Sequence, residues 1–169
     1  SDKDDVNQEY RRKILNYKCG SGTFRMNVAL SELPDFNCLP GKEICEHHKS
    51  GIVIAPSLTY MDQAFTDAKQ YGWSKNPIVE MLIPSTVDST LAPEGKHVAS
   101  LFCQQFAPTL PDNRSWHDEK DNAANTIIET VNRFAPNFKN SILGMSILSP
   151  LDLEEKLGLI GGDIMHGVM

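Results

Sequence analysis

The stretch Phe24-Arg25-Met26-Asn27-Val28-Ala29-Leu30 alternates large apolar side chains with smaller or polar ones, and this alternation decides the fold. Successive side chains of a β-strand point to opposite faces of a sheet, so a period of two gathers the apolar set on one face. That set is Phe24, Met26, Val28 and Leu30. The stretch therefore predicts a strand with one buried face and one wetter face.

Other apolar patterns predict four more strands and four helices. The strands are expected at residues 52–55, 77–84, 97–106 and 142–148. The helices are expected at residues 4–18, 57–72, 115–136 and 149–158, where capping residues, Pro and Gly mark the ends. Strands that follow one another directly favour antiparallel pairing. We expect an α+β fold, with residues 1–169 forming a single domain: a mixed, largely antiparallel sheet with helices packed on one face.

The charge, apolar runs and cysteines of the chain indicate which partners and which location to expect. The chain has 169 residues, a net charge of -6 and a charged fraction of 22%. Nucleic-acid surfaces are basic and clustered, so we expect no nucleic-acid partner. The apolar runs are too short for the roughly 20 residues of a membrane span. The four cysteines lack the spacing of a disulfide framework, which favours reduced thiols and a cytoplasmic location.

Both ends of the sequence favour a piece of a longer protein. The first residue is Ser1 instead of an initiator Met, and the last nine residues form a glycine-rich, apolar segment. Within that segment Gly161 and Gly162 permit positive φ and close backbone approach to a ligand, and the His166 imidazole can transfer a proton. The alternative is a tight turn followed by an ordinary loop histidine.

Two other groups of polar residues are candidates for chemistry. Thiolate and imidazole suit zinc, and four such side chains lie close together in the sequence: Cys38, Cys45, His47 and His48. Six residues separate the cysteines and adjacent histidines rarely bind one ion, so we expect no metal site. Cys103 lies in an apolar strand and is expected to be inert core. Gln104 and Gln105 should face opposite ways, which leaves at least one in need of a buried partner.

The usual nucleotide motifs are missing from the sequence. Neither a Gly-x-Gly-x-x-Gly run after a strand nor a P-loop is present. By itself this chain therefore cannot build a dinucleotide site of the usual kind.

Three segments together resemble the phytoene-desaturase-like family of FAD-dependent oxidoreductases. The first is Pro84-Ser85-Thr86-Val87-Asp88-Ser89-Thr90-Leu91-Ala92-Pro93-Glu94-Gly95-Lys96-His97-Val98. The others are Ser149-Pro150-Leu151-Asp152-Leu153-Glu154 and Gly161-Gly162-Asp163-Ile164-Met165-His166. The resemblance covers most of the chain.

This resemblance implies a function for the parent protein. The chain would be the substrate or cover domain of a two-domain flavoprotein whose FAD-binding segments are absent here. The parent would act on an apolar, unsaturated small molecule by hydride transfer to or from flavin. The resemblance also implies that Gly161, Gly162 and His166 contribute to cofactor binding in the full-length protein.

The resemblance also implies which partners the protein has. The partners would be the rest of the same polypeptide, which holds the FAD, and the apolar substrate; membrane-surface association of the full-length protein stays open. For this chain we expect no bound FAD and an exposed apolar surface near residues 23–31 and 97–106. We also expect residues 161–166 to be poorly ordered or held only by local turns. The competing hypotheses are a free-standing ligand- or protein-binding module without catalysis and a zinc-binding regulatory domain.

Overall fold

The alternating stretch forms strand β1 (Phe24–Leu30) in a computed structural model that describes residues 6–41 and 43–167. The other described strands are β2 (Ile52–Ile54), β3 (Trp73–Leu82), β4 (His97–Phe106) and β5 (Ile142–Leu148). The described helices are α1 (Gln8–Leu15), α2 (Leu58–Tyr71), α3 (Trp116–Phe134), α4 (Phe138–Ser141) and α5 (Pro150–Leu157). Short 3-10 turns occur at Glu46–Lys49, Pro84–Thr86, Ser89–Leu91 and Ile160–Gly162.

The strands form one sheet in the order β2-β3-β4-β1-β5, and neighbouring strands in it are antiparallel. The α+β class predicted from the sequence is confirmed. The expected mixed sheet is antiparallel at each of these pairings, because each strand returns beside a neighbour without a parallel crossover. β4 lies at the centre, with Phe24 of β1 opposite Cys103 and Val79 of β3 on the other side of Cys103.

One face of the sheet carries the main core. The apolar set of β1 is buried there against the inner face of α3, to which Ile127, Ile128 and Val131 contribute. The Phe24 ring lies 5.1 Å from the Phe106 ring and 5.9 Å from the Trp116 ring, measured between centroids. Each such side chain stabilises the fold by about 1.5–3 kcal/mol on burial. The alternation in the sequence therefore places the apolar side chains of β1 on one face of the sheet, where the core lies.

Cys103 lies fully inside this core, as the sequence predicts. Burial in apolar surroundings raises the pKa of its thiol, because the charged thiolate loses its hydration there. The thiol therefore stays protonated and unreactive at neutral pH.

Helix α1 is shorter than the predicted helix at 4–18, whose first two residues lie outside the described part. It runs from Gln8 to Leu15, and none of its residues is buried. Its start is set locally, since the Asn7 side chain accepts a hydrogen bond from the Glu9 amide at 2.8 Å. The apolar stripe of α1 has no core to bury in, so packing does not extend the helix to its predicted end.

The length and hydropathy of the described helices show whether any of them could span a membrane. None of them is both long and apolar enough to cross a membrane. The longest, α3, keeps one apolar face toward the sheet and a charged face toward water.

Helix α5 begins with the capping box that the sequence predicts. The Ser149 Oγ accepts a hydrogen bond from the Asp152 amide, and the Asp152 carboxylate accepts one from the Ser149 amide at 3.0 Å. The same carboxylate pairs with Lys120 of α3 at 3.0 Å and with Lys156 at 2.8 Å. Asp152 therefore fixes α5 to α3, which sets the position of the glycine-rich turn that follows.

Matched leucines on the two faces of the sheet test the one-sided core. Leu101→Ala should lower the free energy of unfolding by about 2–5 kcal/mol, because Leu101 is fully buried and its removal leaves a cavity. Leu82→Ala should change it by less than about 0.5 kcal/mol, because Leu82 is 56% exposed. Urea unfolding followed by circular dichroism measures both. Equal losses for the two variants would contradict a one-sided core.

The Asp152 network predicts a pH dependence of stability. Burial alone would raise the Asp152 pKa, but hydrogen bonds from Lys156, Ser149 and Lys120 outweigh it and hold the pKa well below 3.8. Because the folded-state pKa is depressed, this stabilisation is complete above pH 3.8 and is lost as the pH falls below it.

Asp152→Asn should therefore destabilise the protein by about 1–3 kcal/mol at neutral pH. The difference from the wild type should narrow as the pH falls below 3.8, because the Asp152 carboxyl then takes up a proton in the unfolded wild type while it stays ionised in the folded protein. Urea unfolding at several pH values between 7 and 3 measures it. Glu155→Gln, at an exposed neighbouring position, is the control. A difference that does not change with pH would contradict the ion-pair explanation.

Candidate functional site

The second face of the sheet carries a groove instead of a core. Its volume is about 440 Å³, and it crosses β2, β3, β4 and β1. Side chains that alternate with the buried set line it, among them Val53, Leu82, Phe102, Arg25 and Glu80. Val53 is 60% exposed and Leu82 is 56% exposed. An exposed apolar surface is therefore present on this face; its most exposed residues lie on β2 and β3, and Phe102 of β4 contributes a half-buried ring.

Polar side chains flank the apolar floor of the groove. The strand register places Glu80, Phe102 and Arg25 in one row across three strands. The Arg25 guanidinium donates a hydrogen bond to the Ser100 hydroxyl at 2.9 Å and lies 5.7 Å from the centre of the Phe102 ring. Among the residues that the structure describes, Arg25 forms no ion pair. The groove is therefore amphipathic, with an oriented cation on one side and a carboxylate on the other.

A larger cavity of about 530 Å³ adjoins the groove at the end of β4. Four segments line it: residues 20–21, α2, the end of β4 with the residues that follow it, and the glycine-rich segment at 161–167. Its apolar side chains include Phe65, Ala68 and Pro108. The Met165 side chain lines both the cavity and the groove, so the two lie side by side. Together they form an elongated and mainly apolar binding surface.

Gln105 brings a polar group with no partner to the cavity. Its side-chain oxygen is buried and has no hydrogen-bond partner among the described residues. Gln104 lines the groove instead, and the prediction that the two side chains face opposite ways stays a prediction. A buried acceptor without a donor is costly, and a donor on a ligand would remove that cost.

Gly161 and Gly162 border this region without lining it. Both have positive φ, of 64° and 63°. A Cβ on Gly162 would lie 2.5 Å from the Pro150 Cα, so the glycine is required by packing on α5. The Gly161 amide donates to the Glu154 carboxylate at 2.9 Å, and the Gly162 carbonyl accepts from the Thr23 amide at 3.2 Å. The structure thus accounts for both glycines through packing within the chain.

Asp163 fixes the segment to the loop that precedes β1. Its buried carboxylate accepts hydrogen bonds from the amides of Gly20, Ser21 and Met165 at 3.1, 3.3 and 2.9 Å. An isolated bridge also pairs Asp163 with Gly22. The expectation that only local turns hold this segment is wrong, because contacts across more than 140 positions hold it. Sequence reasoning missed Asp163; its position directly after the Gly-Gly pair was the available signal.

His166 lies at the edge of the cavity. It is exposed, its φ is 61°, and its amide donates to the Asp163 carbonyl at 3.2 Å. The cavity is lined by its neighbours Met165 and Gly167. Cofactor binding by Gly161, Gly162 and His166 stays a prediction for the full-length protein.

The loops around the cavity do not fit a flavin pyrophosphate. Such a group binds free backbone amides at a glycine loop and a helix N-terminus. Here the amides of Gly20 and Ser21 already donate to Asp163, and the Gly161 amide donates to Glu154. The two carboxylates would also repel a phosphate. A flavin bound by the longer protein would need its pyrophosphate held by other segments.

A second polar cluster lies at the far end of the groove's strands. The 3-10 turn Glu46–Lys49 brings together potential ligand atoms of Cys45, His47 and His48 to within 4.8 Å of one another. Cys38 is exposed and lies outside this cluster. Burial, followed by the charge of His48, lowers the pKa of His47 and of nearby His97, so both imidazoles are neutral at pH 7.

Comparison with known proteins adds a family context to this geometry. No protein-family model matches the chain. A rat protein named pyridine nucleotide-disulfide oxidoreductase domain-containing protein 2 is 39% identical over 163 residues, which cover 94% of this chain and 28% of the rat protein. The mouse protein of the same name is 38% identical over the same shares. The chain is thus similar, along nearly all of its length, to little more than a quarter of a protein named for an oxidoreductase domain.

Proposed function

We propose that this chain is the substrate-binding domain of a longer FAD-dependent oxidoreductase of the phytoene-desaturase-like kind. The enzyme acts on an apolar, unsaturated small molecule by hydride transfer to or from flavin. One observation carries the proposal: the open face of the sheet and the adjoining cavity form a continuous apolar surface through Met165. Concave apolar surfaces with a few polar groups are the usual form of a small-molecule site.

The comparisons agree with the proposal that this chain binds the substrate while another part of the same polypeptide binds FAD. The matched relatives are named for an oxidoreductase domain, and this chain spans 28% of their length. FAD, when bound, supplies the redox chemistry from the remaining part of the polypeptide, which is the principal partner of this domain. The amides of this chain's own loops are engaged by Asp163 and Glu154, which agrees with a domain that leaves the pyrophosphate to its partner.

The chain's residues then have distinct roles toward the substrate. Phe102, Leu82 and Met165 contact the hydrocarbon and exclude water from it. The Gln105 oxygen accepts a hydrogen bond from a hydroxyl or amine of the substrate at the cavity end. Arg25 and Glu80 border the groove and favour one orientation of any polar substituent. In this proposal the protein is cytoplasmic, where its four cysteines stay reduced.

A free-standing binding module without catalysis is the second candidate. The observation that favours it is the closed hydrogen bonding of the segment at 161–163, which is complete within this chain. Both candidates use the same apolar surface, and they differ in whether flavin chemistry accompanies binding.

Substitutions on the proposed surface should weaken ligand binding by the chain. A polyene alcohol such as retinol is a suitable probe, because it is apolar, unsaturated and fluorescent. Phe102→Asp and Met165→Asp should each raise its Kd at least tenfold, since each places a charge where the hydrocarbon lies. Leu157→Asp is the control, because Leu157 is 62% exposed on α5 and lies outside both cavities. Fluorescence titration measures the Kd, and equal effects in all three variants would refute the site.

The longer protein distinguishes the two candidates. It should be yellow and release FAD on denaturation, whereas the 169-residue chain should be colourless. Absorbance and chromatography of the released flavin measure this. In the longer protein, Phe102→Asp should lower kcat/KM at least tenfold at unchanged flavin content, with Leu157→Asp as the control. A longer protein without flavin would refute the oxidoreductase, and unchanged turnover would refute the assignment of the substrate surface.

A further inference from the structure

The cluster of Cys45, His47 and His48 has the ligand chemistry of a metal site. From the sequence, adjacent histidines were expected not to share an ion. The 3-10 turn Glu46–Lys49 changes this, because it folds the two imidazoles over each other with their ring centres 3.9 Å apart. One potential ligand atom from each of the three residues lies within 4.8 Å of the others.

Two hydrogen bonds hold the buried His48 ring in one tautomer and one orientation. Its Nε2 lies 3.0 Å from the Pro34 carbonyl oxygen, to which it donates, and its Nδ1 accepts from the Cys45 amide at 3.1 Å. The Nδ1 lone pair therefore points toward Cys45. Histidine ligands commonly donate their second ring N–H to a backbone carbonyl, which fixes the tautomer and the ring orientation.

His47 supplies the independent observation. Its Nε2 is buried and has no hydrogen-bond partner among the described residues. No described hydrogen bond engages its ring, so the unprotonated ring nitrogen is available to an ion. The ring is held edge-on by Phe36, with 6.2 Å between the ring centres, which fixes its position. A buried polar atom left without a partner in a folded chain calls for an explanation such as an ion.

We propose that Cys45, His47 and His48 bind one zinc-like divalent ion, with a fourth position open to water. Thiolate and imidazole are the ligands that zinc prefers, and the exposed Cys45 gives the ion access from solvent. Zinc–ligand distances of about 2.0–2.3 Å place tetrahedral ligand atoms roughly 3.3–3.8 Å apart. The cluster must therefore contract by about 1 Å, which requires rotation of the exposed Cys45 side chain and of the imidazole rings.

Binding exchanges existing contacts for stronger ones. The Cys45 thiol releases its proton to solvent as the Zn–S bond forms, and the His48 Nδ1 leaves the Cys45 amide for the ion. All three ligands belong to the loop before β2, which already meets the turn after β3 where the Thr86 hydroxyl donates to the His48 carbonyl at 3.0 Å. The site is independent of the flavin chemistry proposed above.

Cobalt(II) titration of the reduced chain tests the site. Cobalt takes the same ligands as zinc, and a thiolate ligand gives an intense near-ultraviolet charge-transfer band. We expect one equivalent of cobalt to bind with that band and one equivalent of zinc to remove it. Cys45→Ser should abolish the band, and His47→Asn should weaken cobalt binding at least tenfold.

Two matched variants control for non-specific binding. Cys38→Ser removes an exposed cysteine of the same loop, and His117→Asn removes an exposed histidine of α3. Both should bind cobalt as the wild type does. Far-UV circular dichroism of the metal-free variants checks that each retains its fold. The proposal is overturned if the wild type gives no thiolate band at one equivalent, or if Cys38→Ser loses it as Cys45→Ser does.

Discussion

The packing of α3 against one face of the antiparallel sheet is the constraint on which the rest of the structure depends. Phe24, Phe106 and Trp116 meet at its centre, and the alternate residues of β1, β3 and β4 complete the core on the same side. Because this layer stabilises the sheet from one side, the opposite face is free to keep Phe102, Leu82 and Val53 accessible. A binding surface of this kind arises without weakening the core.

The segment at 161–167 lies at one end of that open face and lines the adjoining cavity. Asp163 holds it against residues 20–22 through a buried carboxylate, and Gly162 lets it pass Pro150 closely enough to do so. Met165 then projects between groove and cavity. Asp152 contributes indirectly, because it fixes α5, the helix that precedes the segment. The position of the site therefore depends on the carboxylates of Asp163 and Asp152, which accept hydrogen bonds from other residues of the chain.

The loop before β2 contributes a second polar centre that is separate from the apolar surface. His48 is buried, hydrogen-bonded through both ring nitrogens and in contact with the tilted ring of His47. Such a cluster orders a long loop, which is also held by Leu33 and Phe36 in the core. The same side chains that order the loop carry the proposed metal chemistry, which explains why so many polar groups are concentrated in a short turn.

The sequence by itself determined the features that depend on near neighbours. The period of two in residues 24–30 fixed the buried face of β1, and Ser149 with Asp152 fixed the start of α5. The tertiary structure alone decided the strand order, the partner of Asp163 and the contact of Gly162 with Pro150. The cavity beside Gln105 was also decided there. The reason is physical: alternation and capping act between residues a few positions apart, whereas these contacts join segments whose spatial proximity only the packed sheet establishes.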